Sequence, residues 1–180
     1  MTSESTVHRI VLIGFMAAGK STVGQLVARK MGWTFHDLDE VIESREGRTV
    51  AAIFAQSGED FFRGLEADVA EEFLKRDRVV LATGGGWAAE PGRLQAVPVG
   101  TFTVWLKVSS AEAVRRAGEG GTRPLLVGSD RLEAAAALLR QRASRYADAD
   151  FEVDTEGRTA EDVSARILAR VAPLTANYTA

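Results

Sequence analysis

The stretch Gly14-Phe15-Met16-Ala17-Ala18-Gly19-Lys20-Ser21-Thr22 constrains this chain more than any other. It fits the pattern of a phosphate-binding loop: a glycine, four residues, then Gly-Lys-Ser/Thr. Upstream, Ile10-Val11-Leu12-Ile13 is a short β-branched apolar run that suits a buried strand. Downstream, Val23, Leu26, Val27 and Met31 recur at helical spacing, and Gly32 is a stop signal. In such a strand–loop–helix unit, backbone amides converge on phosphate oxygens and the helix dipole adds positive potential. Lys20 would reach the β- and γ-phosphates of a nucleotide, and the Ser21 hydroxyl would ligate Mg²⁺. The bland alternative, a chance Gly-Lys-Ser in a surface turn, does not account for the strand and helix on either side.

The rest of the chain repeats the alternation of strand and helix. Trp33 to His36 reads as a second strand, ending in Asp37-Leu38-Asp39, where open α/β sheets bind ligands. Residues 40–76 read as helical in pieces, with Gly47 and Gly58 as breaks and Thr49 as an N-cap. The last piece carries Phe61, Phe62, Leu65, Val69 and Phe73 on one side. Arg78 to Ala82 reads as strand three, followed by the turn Gly84-Gly85-Gly86. Pro91 is expected to open a short helix. Thr101 to Leu106 is strand four, and Ser110 is expected to cap a helix bearing Arg115 and Arg116. Residues 118–124 are glycine-rich and polar, a composition that suits a mobile lid. Leu132–Tyr146 reads as a helix, Phe151–Val153 as strand five, and Ala160–Val171 as a final amphipathic helix. Strands alternating with helices imply a mostly parallel sheet in an α/β fold.

Composition sets the outer bounds. The 180 residues, 46% of them hydrophobic, suit one compact domain over 1–180. A net charge of −3 with no basic stripe argues against nucleic acid as a partner. Without cysteine there is neither a disulfide framework nor a thiolate metal site. No apolar run is long enough to span a membrane, and the first residues lack a signal-peptide pattern. A cytoplasmic monomer is the expectation. The only asparagine is Asn177, so the Asn-Lys-x-Asp element that reads guanine is missing, which weakens a GTPase reading.

Five ordered blocks resemble the shikimate kinase family. They are Gly14 to Gly24; Asp37-Leu38-Asp39 with Val41-Ile42-Glu43; Gly58-Glu59 with Phe62-Arg63 and Glu66; Gly84-Gly85-Gly86; and Arg123-Pro124-Leu125-Leu126. Arg142 and Tyr146 further match the family's Arg-x-x-x-Tyr. The resemblance runs from about residue 9 to 172. It implies a P-loop, nucleoside-monophosphate-kinase-like three-layer α/β sandwich with a five-stranded parallel sheet. The core would comprise 9–36, 77–116 and 130–172, with a helical substrate-binding insertion over about 37–76 and a lid over about 117–129. Two positions depart from the family pattern: Ala17, where glycine is usual, and the bulky Trp87 after the glycine triplet.

The resemblance also implies roles. The reaction would move the γ-phosphoryl group of ATP to the 3-hydroxyl of shikimate, with Mg²⁺ as cofactor. ATP would be held by Ala17, Ala18, Gly19, Lys20, Ser21, Thr22, Arg116, Arg123 and Arg158. Ser21, and Asp37 through a water, would hold the metal. Asp39, Arg63, Gly84, Gly85, Gly86 and Arg142 would bind shikimate, the arginines by gripping its carboxylate. Lys20, Asp39 and Arg123 would carry the chemistry. Two alternatives stay open at this stage. One is another small-molecule P-loop kinase, acting on gluconate or a nucleoside monophosphate. The other is an inactive nucleotide-binding paralogue, to which Ala17 and Trp87 lend support.

Overall fold

The computed structural model describes residues 6–118 and 131–175. The lid expected over about 117–129, with Arg123 and the Arg-Pro-Leu-Leu block, falls almost wholly outside them. The elements run β1 (Arg9–Ile13), α1 (Lys20–Met31), β2 (Thr34–Asp37), α2 (Leu38–Glu46), α3 (Val50–Ser57), α4 (Glu59–Leu74) and β3 (Val79–Ala82). After a 3₁₀ turn at Trp87–Ala89 come β4 (Thr101–Lys107), α5 (Ser110–Gly118), α6 (Arg131–Tyr146), β5 (Phe151–Asp154) and α7 (Ala160–Val171).

The five strands form one sheet in the order β2-β3-β1-β4-β5, and every pairing is parallel. All five residues of β1 are buried, as a central parallel strand covered on both faces requires. Burying side chains such as Ile10, Leu12 and Ile13 stabilises the fold by roughly 1.5–3 kcal/mol each. The chain leaves β1 toward β2 and β3 on one side and later crosses to β4 and β5 on the other. The loop after β1 therefore opens at the switch point of the sheet, where such folds bind ligands. Gly14 begins that loop at φ 135°, and a Cβ there would collide with the Leu106 carbonyl of β4. Glycine is the residue that fits.

Helices α1 and α7 pack together, and α5 pairs with α6. The three helices α2–α4 lie between β2 and β3 in sequence and pack on one another. Their boundaries follow local chemistry. Asp37 caps α2 by accepting from the Asp39 amide at 3.0 Å, and Thr49 caps α3 by accepting from Ala52 at 3.2 Å. Gly47 in the left-handed region ends α2, and Gly58 ends α3.

Four local expectations are corrected. The second strand is shifted by one residue, so Asp37 both ends β2 and caps α2. No helix opens at Pro91; the 3₁₀ turn precedes it, and Gly92 at φ 75° turns the chain out of helical geometry. Ser109, not Ser110, caps α5, its Oγ accepting from the Glu112 amide at 3.2 Å. Phe61 lies off the buried stripe of α4, 44% exposed, with the Arg48 guanidinium 5.9 Å from its ring centroid.

Candidate active site

The phosphate loop is built as its sequence requires. Gly19 is the N-cap of α1 in the left-handed region, no side chain caps the helix, and its first turn holds no acidic residue. By contrast α2, α3 and α7 are each capped by a side chain. The first-turn amides of α1 and the positive end of its dipole are thus left for an anionic ligand. The buried Lys20 ammonium donates to the carbonyls of Gly14 and Phe15, both at 2.9 Å, which folds it into the loop. Ala17 adopts φ 57°. The family's glycine would hold this conformation freely, whereas alanine bears roughly 1–2 kcal/mol of strain.

Beside the loop lies a cavity of about 430 Å³, lined by Met16 and Ser21 of the loop, Asp37 and Asp39, Phe54, Phe62, Arg63, Glu66, Gly84–Gly86 and Arg142. The structure therefore brings the residues expected to bind shikimate and the pair expected to hold the metal into one cavity. Ser21 Oγ donates to Asp37 Oδ2 at 2.5 Å. These are hard oxygen donors, the type Mg²⁺ selects. Among the described residues no cluster of three acidic or histidine side chains could hold a metal. A fit to Mg²⁺ therefore requires nucleotide phosphates and water as the remaining ligands, which is how this ion is commonly bound.

Arg63 is oriented by two carboxylates of its own helix: Nη1 donates to Glu66 at 2.6 Å and Nη2 to Glu59 at 3.0 Å. Glu66 is only 1% exposed. Burial pushes its carboxyl above the usual carboxylate range, with Asp39 adding to the rise, although the charges of Arg63 and Arg93 oppose it. Burial also weighs against the Arg63 cation, but the charge and hydrogen bond of Glu66 more than offset it. The other Glu66 oxygen, Oε1, has no hydrogen-bond partner among the described residues. Space for these groups depends on the glycine triplet. A Cβ at Gly84 would clash with Glu66 Oε1 and approach Asp39 Oδ1 to 3.2 Å, and one at Gly86 would overlap the Arg63 guanidinium. Gly85 lies between Arg142 and the loop, its Cβ position 3.5 Å from Arg142 Nη1, Gly14 O and Met16 N.

Trp87 does not line the cavity. It is 1% exposed, and its turn packs against α4 and α6 behind the glycines. The Arg93 guanidinium covers its ring, 5.6 Å from the centroid. Met16 is 5% exposed yet lines the cavity.

A second cleft lies on the far side of the loop, lined by Ala18, Arg115, Arg116, Thr155 and Arg158 among others. Arg116 joins α5 to the loop and to the segment after β5. It donates to Glu112 Oε1 at 2.7 Å, the Ala17 carbonyl at 3.3 Å and the Thr155 carbonyl at 3.0 Å. Hydrogen bonds from Arg115 and Arg116 hold the Glu112 carboxyl down to about 2. Arg158 Nε donates to the Asp154 carbonyl at 3.0 Å. Thr22, exposed on the first turn of α1, lines neither cavity.

Three of the residues that hold this site together were given no role from sequence: Glu66, although it belongs to a matching block, Glu112 and Thr155. Glu66 had a sequence signal, its three-residue spacing from Arg63 on a helix. So did Glu112, four residues before Arg116. Thr155 had none, since it meets Arg116 only through the fold.

Known proteins are similar to this chain over most of its length. The shikimate kinase family model matches residues 16–172. A shikimate kinase of Moorella thermoacetica is 44% identical over 158 residues, covering 88% of this chain and 91% of that protein. One from Mycobacterium tuberculosis is 42% identical over 164 residues, covering 91% and 93%. The solved shikimate kinase of Acinetobacter baumannii in complex with shikimate superposes with a TM-score of 0.86 at 32% identity, covering 94% of this chain and 95% of that one. With the loop, the glycine triplet and the paired arginines in one cavity, this chain belongs to the shikimate kinase family.

Proposed function

We propose that this protein transfers the γ-phosphoryl group of ATP to the 3-hydroxyl of shikimate, releasing shikimate 3-phosphate and ADP. The observation that carries the reading is a single cavity whose walls differ in chemistry. Ser21 and Asp37 stand on the side of the phosphate loop, and Arg63 and Arg142 stand with the glycine turn. Transfer of a phosphoryl group is mainly a matter of holding donor and acceptor in line and balancing charge.

The chain's residues divide that work. The amides of Ala17 to Ser21 and the Lys20 ammonium hold the terminal phosphates, and Thr22 completes the first turn. Ser21, and Asp37 through a water, would hold Mg²⁺, whose chemistry would be to balance the charge of the phosphates. Arg116 and Arg158 in the second cleft hold the adenine end. Arg63 and Arg142 grip the shikimate carboxylate, where a charged hydrogen bond contributes about 1.5–3 kcal/mol. Gly84, Gly85 and Gly86 bring backbone close to the acceptor's ring. Asp39 orients the 3-hydroxyl and accepts its proton. Arg123 closes over the phosphates and excludes water, as the resemblance implies. Among the described residues no helix is long and apolar enough to cross a membrane. The protein acts on small molecules alone, as a monomer in the cytoplasm.

An acceptor panel tests this reading. ADP release with Mg²⁺ and ATP should require shikimate and be near background with gluconate or nucleoside monophosphates. Turnover of one of those instead would replace shikimate as the substrate. ATP binding without ADP release would mark an inactive paralogue.

A further inference from the structure

We propose that the Tyr146 hydroxyl is a positioning group for the acceptor, fixing the Gly85 carbonyl beside Arg142. The inference rests on the reading of the cavity as the shikimate site. Tyr146 lies four residues after Arg142 in α6, so the two side chains share a helix face. It is wholly buried, and a buried phenol needs hydrogen-bond partners. Its hydroxyl donates to the Gly85 carbonyl, 61 residues away in sequence. The Arg142 guanidinium lies close enough to the phenol for its charge to act on it. The hydroxyl thus gives to the glycine turn from a place beside the arginine.

The consequence follows from peptide geometry. The Gly85 carbonyl and the Gly86 N–H belong to one planar unit, so fixing the carbonyl fixes the direction of the amide. Gly85 also lies near both Arg142 and the phosphate loop: a Cβ built on it would be 3.5 Å from Arg142 Nη1, Gly14 O and Met16 N. A rotation of this peptide would alter the acceptor pocket beside the loop. The ring itself is held by Trp105, 5.8 Å away between centroids and tilted by 48°. Burial pushes the phenol up to about 12, so it stays protonated, and a donor, at any pH where the enzyme works. The ring packs as core does, but the hydroxyl's hydrogen bond ends on Gly85, a residue of the cavity.

The test is Tyr146→Phe, which keeps the ring and removes the hydroxyl. The shikimate KM should rise up to about tenfold, the upper end of the loss expected of one neutral hydrogen bond, with the ATP KM within about twofold. Trp105→Phe, which loosens the ring but keeps the hydroxyl, should lower the thermal midpoint while leaving the shikimate KM within about twofold. An unchanged shikimate KM in Tyr146→Phe, or an equal rise for ATP, overturns the inference. A second measurement needs no variant. The chain has two tyrosines, and with both labelled at Cζ, added shikimate should shift the Tyr146 resonance of the wild-type protein. A resonance that does not move overturns the inference. Absence of wild-type turnover with shikimate would instead overturn the functional reading on which this rests.

Discussion

The Ser21 hydroxyl donates a 2.5 Å hydrogen bond to Asp37 Oδ2, joining the first turn of α1 to the end of β2. Two strands and the glycine-rich loop converge on that contact, and both side chains offer oxygen to a hard cation. Ser21→Ala should raise the Mg²⁺ concentration needed for half-maximal turnover by about tenfold or more. Shikimate binding without nucleotide, read by calorimetry, should be unchanged. A Mg²⁺ dependence like that of the wild type would remove Ser21 from the metal site.

The positive φ of Ala17 gives a stability prediction with a definite sign. Ala17→Gly relieves left-handed strain but lets the unfolded chain sample more states. The strain, roughly 1–2 kcal/mol, exceeds the entropy cost of roughly 0.4–1 kcal/mol. The variant should therefore be more stable, by about half a kcal/mol to 1 kcal/mol, a rise in melting temperature of about 1–4 °C. A lower midpoint would mean that the native loop does not strain alanine.

Glu66 predicts a pH dependence. Burial raises its carboxyl above the ordinary value, so it takes up a proton at a higher pH than a solvated glutamate does. Protonation removes the charge that orients Arg63. The value of kcat/KM for shikimate should therefore fall on the acid side through the raised Glu66 value. In Glu66→Gln that acid limb should be lost and the shikimate KM raised about tenfold at neutral pH. For stability the sign is opposite. A raised folded pKa contributes stability that is present below the unfolded value and is lost as pH rises through the folded one. The thermal midpoint of Glu66→Gln at neutral pH should thus not fall, and a large drop would mean that the ion pair with Arg63 outweighs the cost of burying the charge.

The second cleft predicts the converse selectivity. Arg116→Ala should raise the ATP KM about tenfold and leave the shikimate KM nearly unchanged, since Arg116 contacts Ala17 and Thr155 but does not line the shikimate cavity. Its partner Glu112 has a depressed value near 2, so it stays ionised until pH falls through that value. The Arg116 contribution to ATP binding should therefore be flat across mildly acidic pH. A matching rise in the shikimate KM would show that the two clefts are not separate.

Local signals made much of this molecule legible in sequence. The phosphate loop, the Thr49 cap and the span Ala160–Val171 appear in the structure as the residues themselves dictate. Apolar periodicity places a helix stripe, but not its edge, so Phe61 was expected inside and lies outside. Two adjacent serines offer equal capping chemistry, and only the helix geometry selects Ser109. Trp87 could have filled the substrate pocket or the space behind it, and the close approach of Arg63 to Gly86 leaves it the space behind. The contacts that orient the site, Tyr146 to Gly85 and Arg116 to Thr155, join residues far apart in sequence, where no spacing rule reaches.

The most direct measurement is ³¹P nuclear magnetic resonance of the product formed from ATP, Mg²⁺ and shikimate by the wild-type protein. A phosphomonoester whose phosphorus couples to the proton on C3 of shikimate, appearing together with ADP, is the predicted result. ADP accompanied only by inorganic phosphate, or phosphorus coupled to another carbon's proton, would contradict the proposed transfer.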